Sequence, residues 1–449
     1  MADGWAAVDV SVAVPMSRAG PRARAGLLPL LGLMYASACG GPYGMEDFVP
    51  KVGPGVFILL LFVTPWFWGL PTAFAAAELS RRHPVAGGYY RWAQEYLGPF
   101  WGYQEGIWSL LSSFLDNALY PVLFARALVH LLPGLTRLDQ WLAAVAFILL
   151  YTWLNYRGIK IAGASAVALN LFLIAPLVWL IVEASTQIRL NPLTPFAVPG
   201  LDSATRLGTC LALAMWLYSG YYEVSAAAEE IENPARNIPL ALLVLTPLVV
   251  ASYALPTLAG LATVGGWESW VSGQFATMGR VLGGPLLGGW LFLGAVASYS
   301  VIFLTYLLWW SRLVWAMAAD GHLPASLARL HPRFGTPHRV LLVYAVIYSA
   351  MAALPFEDLL VADTWLAGAS NLVLQASLVR SRQRADEGGG FRVPGGRPGL
   401  WLNVTMPALT WLLLLTLTGG EHWRLGAGAL LTAPLLYAAK TALRRPGLR

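Results

Sequence analysis

Apolar runs of about 20 residues follow one another from Gly26 to Lys440, each long enough to cross a hydrocarbon core of roughly 30 Å as an α-helix. Lipid offers the backbone no hydrogen-bond partner, so such a chain folds as helices that close their own peptide groups. With 57% hydrophobic and 12% charged residues, the chain lacks the charge to cover a soluble domain of 449 residues. The spans are expected at 26–48, 54–79, 98–126, 138–157, 161–184, 205–227, 238–264, 285–317, 338–355, 358–379, 398–418 and 423–441. This is an all-α integral membrane fold of about twelve transmembrane helices.

The net charge of +6 could suggest a nucleic-acid partner, but its distribution is that of a membrane topology. With a cytoplasmic N-terminus, the outer segments hold Lys51, Arg126, Arg137, Arg189, Arg206, Arg280 and Arg424, and the rest of the 29 basic residues lie inside. Both termini then face the cytoplasm across a cell membrane, and no nucleic acid is expected. Met1–Gly20 lacks a charged start followed by a compact apolar core, so no cleaved signal peptide is expected. Cys39 and Cys210 both sit in apolar runs and read as buried thiols. No metal-ligand spacing, P-loop or cofactor motif is present, and no metal or cofactor is expected.

Two spans are interrupted in the middle. The first meets Cys39-Gly40-Gly41-Pro42-Tyr43-Gly44 before resuming toward Val49, and the sixth meets Tyr218-Ser219-Gly220-Tyr221-Tyr222-Glu223. Glycine tolerates unwound backbone and Pro42 gives no N–H to the ladder. Irregular backbone at membrane depth is tolerated where it is buried in protein or lines a wet cavity. Breaks five helices apart are the spacing of an inverted repeat of two five-helix halves, with a substrate site between them. The alternative is ordinary glycine kinks for close helix packing. The expected organisation is a tail at 1–25, repeats at 26–184 and 185–379, a loop at 380–397, helices 11 and 12 within 398–441, and a tail at 442–449.

Carboxylates inside spans are costly and by default functional. Glu223 follows the second break, Glu46 and Asp47 follow the first, and the third span carries Glu105 and Asp116. The last two share a helix face with Ser109, Ser112 and Tyr120. An acidic cavity without a basic residue at its depth suits a substrate ammonium or a proton. Tyr43, Trp216, Tyr218, Tyr221 and Tyr222 could hold an ammonium by cation–π contact. The plainer readings are structural hydrogen bonding for Glu223 and Asp116, an outer vestibule for Glu46, a helix end for Asp47, and scaffold for Glu105. Glu78, Glu229, Glu230 and Glu232 read as solvated or gate-closing acids facing loop arginines such as Arg81, Arg82 and Arg157.

The segment Ala77-Glu78-Leu79 … His83-Pro84-Val85-Ala86-Gly87-Gly88-Tyr89-Tyr90-Arg91-Trp92 resembles a cytoplasmic signature of the amino acid–polyamine–organocation permeases. Ala227–Pro239 resembles the exit of that family's sixth helix, and Ala319–Pro324 with His331, Thr336 and Pro337 the loop after its eighth. Gly40–Asp47, Asp116–Pro121, and Trp216 with Gly220 and Glu223 are similar to the polyamine-uptake and cationic-amino-acid branch. The resemblance implies a leucine-transporter-like fold with helices 1 and 6 broken, two extra C-terminal helices, alternating access, and Glu223 meeting the substrate amine. Amino-acid permeases of the family often carry a G-S-G break, and Pro42 here removes an amide that would meet a carboxylate. Some relatives carry an acid in helix 10, where Leu374-Gln375 stands here, so a second anionic contact is missing or comes from Glu46 or Asp116. Some proton-coupled relatives have a lysine in helix 5, near Asn170 here. The loop between helices 3 and 4 lacks cysteine, so no disulfide-linked partner subunit is expected.

The chain is therefore read as a secondary active transporter for polyamines or amino acids and not an enzyme. The expected substrate-binding set is Gly40, Gly41, Tyr43, Gly44, Glu46, Trp216, Tyr218, Ser219, Gly220, Tyr222 and Glu223. Glu223, Asp116 and Glu46 are candidates for proton coupling. The rivals are a neutral or cationic amino acid exchanger and, from another class, a nutrient sensor that binds without transporting.

Overall fold

The computed structural model describes residues 26–83, 88–158, 163–199, 203–220, 232–319, 321–384 and 390–443. Helix α1 (Leu27–Ala38) stops at Cys39, whose φ of −149° and ψ of 107° leave helical space. Gly41 and Gly44 then take φ of +83° and +91°, which side chains with a Cβ rarely adopt. The first break is present where the sequence places it. Beyond it the chain does not resume a long helix. It makes a 3-10 turn, Glu46–Phe48, and a four-residue helix, Val49–Val52, before Gly53 reverses it at φ +93°. The buried Glu46 carboxylate sets this turn by accepting the N–H of Gly44 at 2.7 Å and of Gly273 at 3.2 Å.

Helix α2 (Pro54–Arg82) opens on a proline, whose missing N–H costs nothing at a helix start. Its ladder widens into a π-turn at Pro65–Gly69. Pro65 and Pro71 each withdraw a donor from that stretch, a recognised cause of such slippage. The segment expected as a connecting loop folds as α3 (Gly88–Leu97). Trp92 on it is buried against Leu79, Leu374 and Leu378, and its indole donates to the His83 carbonyl at 2.8 Å.

There follow α4 (Pro99–Leu131), α5 (Arg137–Tyr156), α6 (Gly163–Ser185) and α7 (Ala204–Leu217). A capping box between Thr136 and Asp139 starts α5. After α7, Tyr218 leaves helical geometry and Gly220 sits at φ +83°, so the second break also begins where expected. The remaining helices are α8 (Pro234–Thr263), α9 (Gln274–Ala319), α10 (His338–Met351), α11 (Phe356–Ser381), α12 (Gly396–Leu417) and α13 (Gly420–Leu443). α9 is two helices meeting at Gly284, φ +77°, and its longer arm starts at Pro285 as the sequence suggested.

By length and composition, six helices among the described residues can cross a membrane: α2, α4, α5, α8, α9 and α12. α5 and α12 expose leucines along their outer faces, including Leu142, Leu149, Leu409 and Leu412. Contiguous apolar surface of this kind belongs against lipid. α11 is the opposite case, burying Asp363, Asn371 and Gln375 at the centre of the bundle against α4.

Two polar clusters hold α2 to α11. Midway, Asn371 donates to Thr72 Oγ1 at 2.6 Å, while Gln375 and Asn403 of α12 both donate to the Pro71 carbonyl, at 3.3 and 2.9 Å. At the end of α2, the fully buried Glu78 accepts from Arg382 Nε and Nη2 at 2.9 and 2.7 Å, from the Val393 N–H at 2.8 Å, and from Arg82 Nε at 3.3 Å. The opposite end is fastened by Asp47–Arg126 at 2.9 Å and Lys51–Glu357 at 2.5 Å.

Candidate functional site

The two breaks face a common cavity. Cys39, Gly40, Gly41 and Tyr43 come from the first break, and Trp216, Ser219 and Gly220 from the second. Helical carbonyls and amides left without ladder partners at such breaks are the groups that line binding sites in lipid. The chain can come this close only because Gly40 has no side chain: a Cβ there would strike Ser298 Oγ and Ile302 of α9. Ser298 instead donates its hydroxyl to the Gly40 carbonyl at 2.5 Å, fixing the unwound segment to α9.

α4 supplies Ser112, Asp116 and Tyr120, one polar face with helical spacing. The Trp216 indole donates to Asp116 Oδ1 at 2.6 Å, so the acid is held by the broken seventh helix it faces. Rings continue the wall from there. Tyr120 lies 5.9 Å from Trp216 and 6.0 Å from Tyr306, and Tyr306 lies 4.9 Å from Trp310, all centroid to centroid. Across from α4, Asp363 of α11 accepts the Ser112 hydroxyl at 2.5 Å. Asp116 and Asp363 are 8% and 4% exposed, and no lysine, arginine or histidine lines the cavity among the described residues. Buried carboxylates beside ring faces attract a cation and disfavour an anion.

Six of the eleven expected binding residues come together here: Gly40, Gly41, Tyr43, Trp216, Ser219 and Gly220. Asp116 joins them. Three others sit elsewhere. Gly44 takes its left-handed turn against Leu123, and Glu46 holds the amides of Gly44 and Gly273 away from the cavity. Tyr218 is buried with its hydroxyl donating to the Leu61 carbonyl at 2.6 Å. Tyr222 and Glu223 lie outside the described residues, as do Tyr221, Glu229 and Glu230. Glu105 stays on the α4 face below the cavity, accepting from Ser109 at 3.4 Å. Asn170 ties α6 to α1 by donating to the Gly32 carbonyl at 2.7 Å.

Asp363 is the residue that sequence reasoning passed over. The resemblance points to Leu374-Gln375 as the place of an acid on the tenth span, and these residues pack against α2 and α3. The acid of that helix is Asp363, three turns earlier, and its signal was available as a carboxylate within an apolar span. The α9 wall was legible too: Ser298, Ile302, Tyr306 and Trp310 recur at every fourth position, the spacing of one helix face.

A family model described as amino acid permease matches residues 26–419. The polyamine transporter RMV1 of Arabidopsis thaliana is 33% identical over 389 residues, covering 85% of this chain and 78% of that protein. The polyamine transporter PUT1 of Oryza sativa subsp. japonica is 31% identical over 395 residues, covering 87% of this chain and 73% of that one. Among solved structures, MhsT in complex with L-phenylalanine matches in fold with a TM-score of 0.64 at 14% identity, over 89% of this chain and 100% of that one. The resemblance read from the motifs is thereby confirmed, and so is the leucine-transporter-like fold implied by two helices that break against one cavity. This chain belongs to the amino acid permease family and is a multi-pass membrane protein, a secondary transporter for polyamines or amino acids.

Proposed function

We propose that the protein carries polyamines, binding the substrate amine at Asp116 between the two helix breaks. The observation that carries this reading is a cavity with two buried carboxylates, a run of aromatic rings and no lining basic residue among the described residues. An α-amino acid would bring its own carboxylate into that field, and Pro42 removes one of the amides that could receive it. The similar plant proteins are named polyamine transporters, in agreement with this chemistry. Glu223, three residues beyond Gly220, is the further acid assigned to the amine. Tyr43, Gly40, Gly41 and Ser219 complete the lining, and the rings enclose the alkyl chain.

The same reading has about twelve spans, two inverted repeats at 26–184 and 185–379, and both termini in the cytoplasm of a plasma or inner membrane. Access alternates as one bundle rocks, and the buried acids make proton symport the coupling proposed.

The test is uptake of labelled putrescine by proteoliposomes under an inward proton gradient. Accumulation that collapses with the gradient and resists arginine and leucine supports a proton-coupled polyamine carrier. Accumulation that persists without a proton gradient removes the coupling and keeps the substrate. An amino acid exchanger is the second reading, favoured by the Gly40 and Gly41 backbone at the cavity wall. Uptake or exchange of an amino acid without putrescine uptake would establish it.

A further inference from the structure

Beneath the cavity, α4 and α11 run antiparallel in a fixed register. Ser112 of α4 meets Asp363 of α11 at 2.5 Å. Seven residues earlier on α4, Glu105 has beside its carboxyl Ser370, seven residues later on α11. Seven residues are two turns, about 10 Å along either axis. Ser109 stands between them on α4 and donates to Glu105 Oε1 at 3.4 Å. Ser112, Ser109 and Glu105 thus form one polar seam. It leaves the cavity, whose lining on these helices includes Ser112 and Ala367, toward the end of the bundle where α4 begins.

Glu105 stands apart from the other buried acids described. Glu46 accepts two backbone amides, Asp47 pairs with Arg126, and Glu78 pairs with Arg382 and Arg82. Asp116 accepts the Trp216 indole. Glu105 is 2% exposed, its Oε2 makes no hydrogen bond, and no lysine, arginine or histidine pairs with it among the described residues. The charged groups at this level lie against other faces of α4. Lys440 and His322 meet the Tyr103 ring at 5.0 and 5.8 Å, on the opposite side of the helix, and Tyr90 of α3 packs against Gly106. Gln104 is 1% exposed, and neither its amide oxygen nor its nitrogen has a partner. Unmatched polar atoms are rare in a packed interior, and three at one level of a membrane helix call for a function.

We propose that Glu105 carries the coupled proton, at a place separate from the substrate acids, and that Ser112 and Ser109 pass the proton to it from the cavity. This rests on the reading of the protein as a proton symporter and adds the site of the proton. An ammonium at Asp116 holds that acid ionised, so the same carboxylate cannot take the coupled proton in the same step. With the cavity open to the outside, a hydronium ion gives its proton to the seam. Each hydroxyl accepts a proton on its oxygen and releases its own to the next group, and the Glu105 carboxylate becomes a carboxylic acid. When the bundle opens at the other end, the Glu105 O–H bond breaks, its proton goes to water there, and the carboxylate is left for the next cycle.

The experiment compares two readouts in the same proteoliposomes, with labelled putrescine as the probe and the membrane voltage clamped at zero. One is accumulation under an inward gradient of one pH unit, and the other is exchange of internal for external putrescine without a gradient. The wild type is expected to concentrate putrescine up to about tenfold, the limit for one proton carried with each substrate. In Glu105→Gln accumulation falls to the level of equal concentrations while exchange continues. Glu105→Asp keeps the plateau, and Ser109→Ala slows the approach to it while leaving exchange at its own rate. A Glu105→Gln protein that concentrates putrescine like the wild type overturns the assignment alone. One that melts like the wild type and loses exchange as well makes Glu105 part of the substrate path, and overturns it too. If Glu105→Gln does not fold, Ser109→Ala decides: slowing of both readouts together, or of neither, overturns the seam. A wild type that exchanges putrescine and ignores the gradient overturns symport itself, and the proton assigned to Glu105 with it.

Discussion

Glu78 is the hub of the cluster that closes one end of the bundle, and replacing it with glutamine should open that end by a calculable amount. The carboxylate is fully buried and accepts four hydrogen bonds, two from Arg382 and one each from Arg82 and the Val393 N–H. Breaking a buried pair by removing one partner costs about 3–5 kcal/mol, chiefly because the other charge is left uncompensated. Glutamine keeps an acceptor for the Val393 N–H, so the lower figure applies, about 3 kcal/mol. At about 1.4 kcal/mol per factor of ten, conformations open at this end should gain roughly a hundredfold. The chain reports this itself. Cys39 lines the cavity at 1% exposure, and Cys210 is the one other thiol. In a Cys210→Ala background, the rate of Cys39 modification by a cationic thiosulfonate in inside-out vesicles follows the open fraction. Glu78→Gln should raise that rate by about two orders of magnitude. A rise of less than about threefold, in a variant that melts like its parent, would mean that this cluster does not gate the cavity.

Asp47–Arg126 at the opposite end has side chains 22% and 31% exposed. Such a pair is worth about 0–1 kcal/mol, so Asp47→Asn should raise Cys39 labelling from that side by less than about fivefold. A larger rise would make this pair the gate. Trp216→Phe removes the hydrogen bond to Asp116 and keeps a ring in place. The KM for putrescine should rise about tenfold or more, and the effect should vanish in an Asp116→Asn background, as kinetics of the four variants would show. Gly44→Ala forces a Cβ into a φ of +91° against Leu123, and a lowered melting temperature is the outcome to look for.

The architecture was written in residues whose physics is local. Gly41, Pro42 and Gly44 cannot continue a helix, Gly220 ends another, and Gly284-Pro285 starts a third, so these boundaries appear where the chain says they should. The site was half legible for the same reason: groups at the breaks converge because the breaks do. What escaped depends on partners distant in sequence. Glu46 carries every local mark of a binding acid, and only the arrival of the Gly273 amide shows it to be holding a turn. Tyr218 belongs to the break by position, yet its hydroxyl is captured by Leu61, 157 residues away. Helix α3 was hidden because its apolar face is covered by Leu374, Leu378 and Leu400, whose proximity no window of sequence contains.

The Asn403 side chain gives the two C-terminal helices a mechanical meaning. Its single amide nitrogen reaches both the Pro71 carbonyl of α2, at 2.9 Å, and the Gln375 oxygen of α11, at 3.0 Å. α12 exposes leucines over much of its surface, yet its Asn403 is stapled across the contact between α2 and α11. It therefore acts as a tether, because α2 and α11 cannot part there without a buried amide losing its acceptors. A chain shortened before Gly396 would not be a trimmed version of the same machine. It would leave the Gln375 side-chain oxygen without its Asn403 donor and the Pro71 carbonyl with the longer Gln375 contact alone, so α2 and α11 would be held together less firmly.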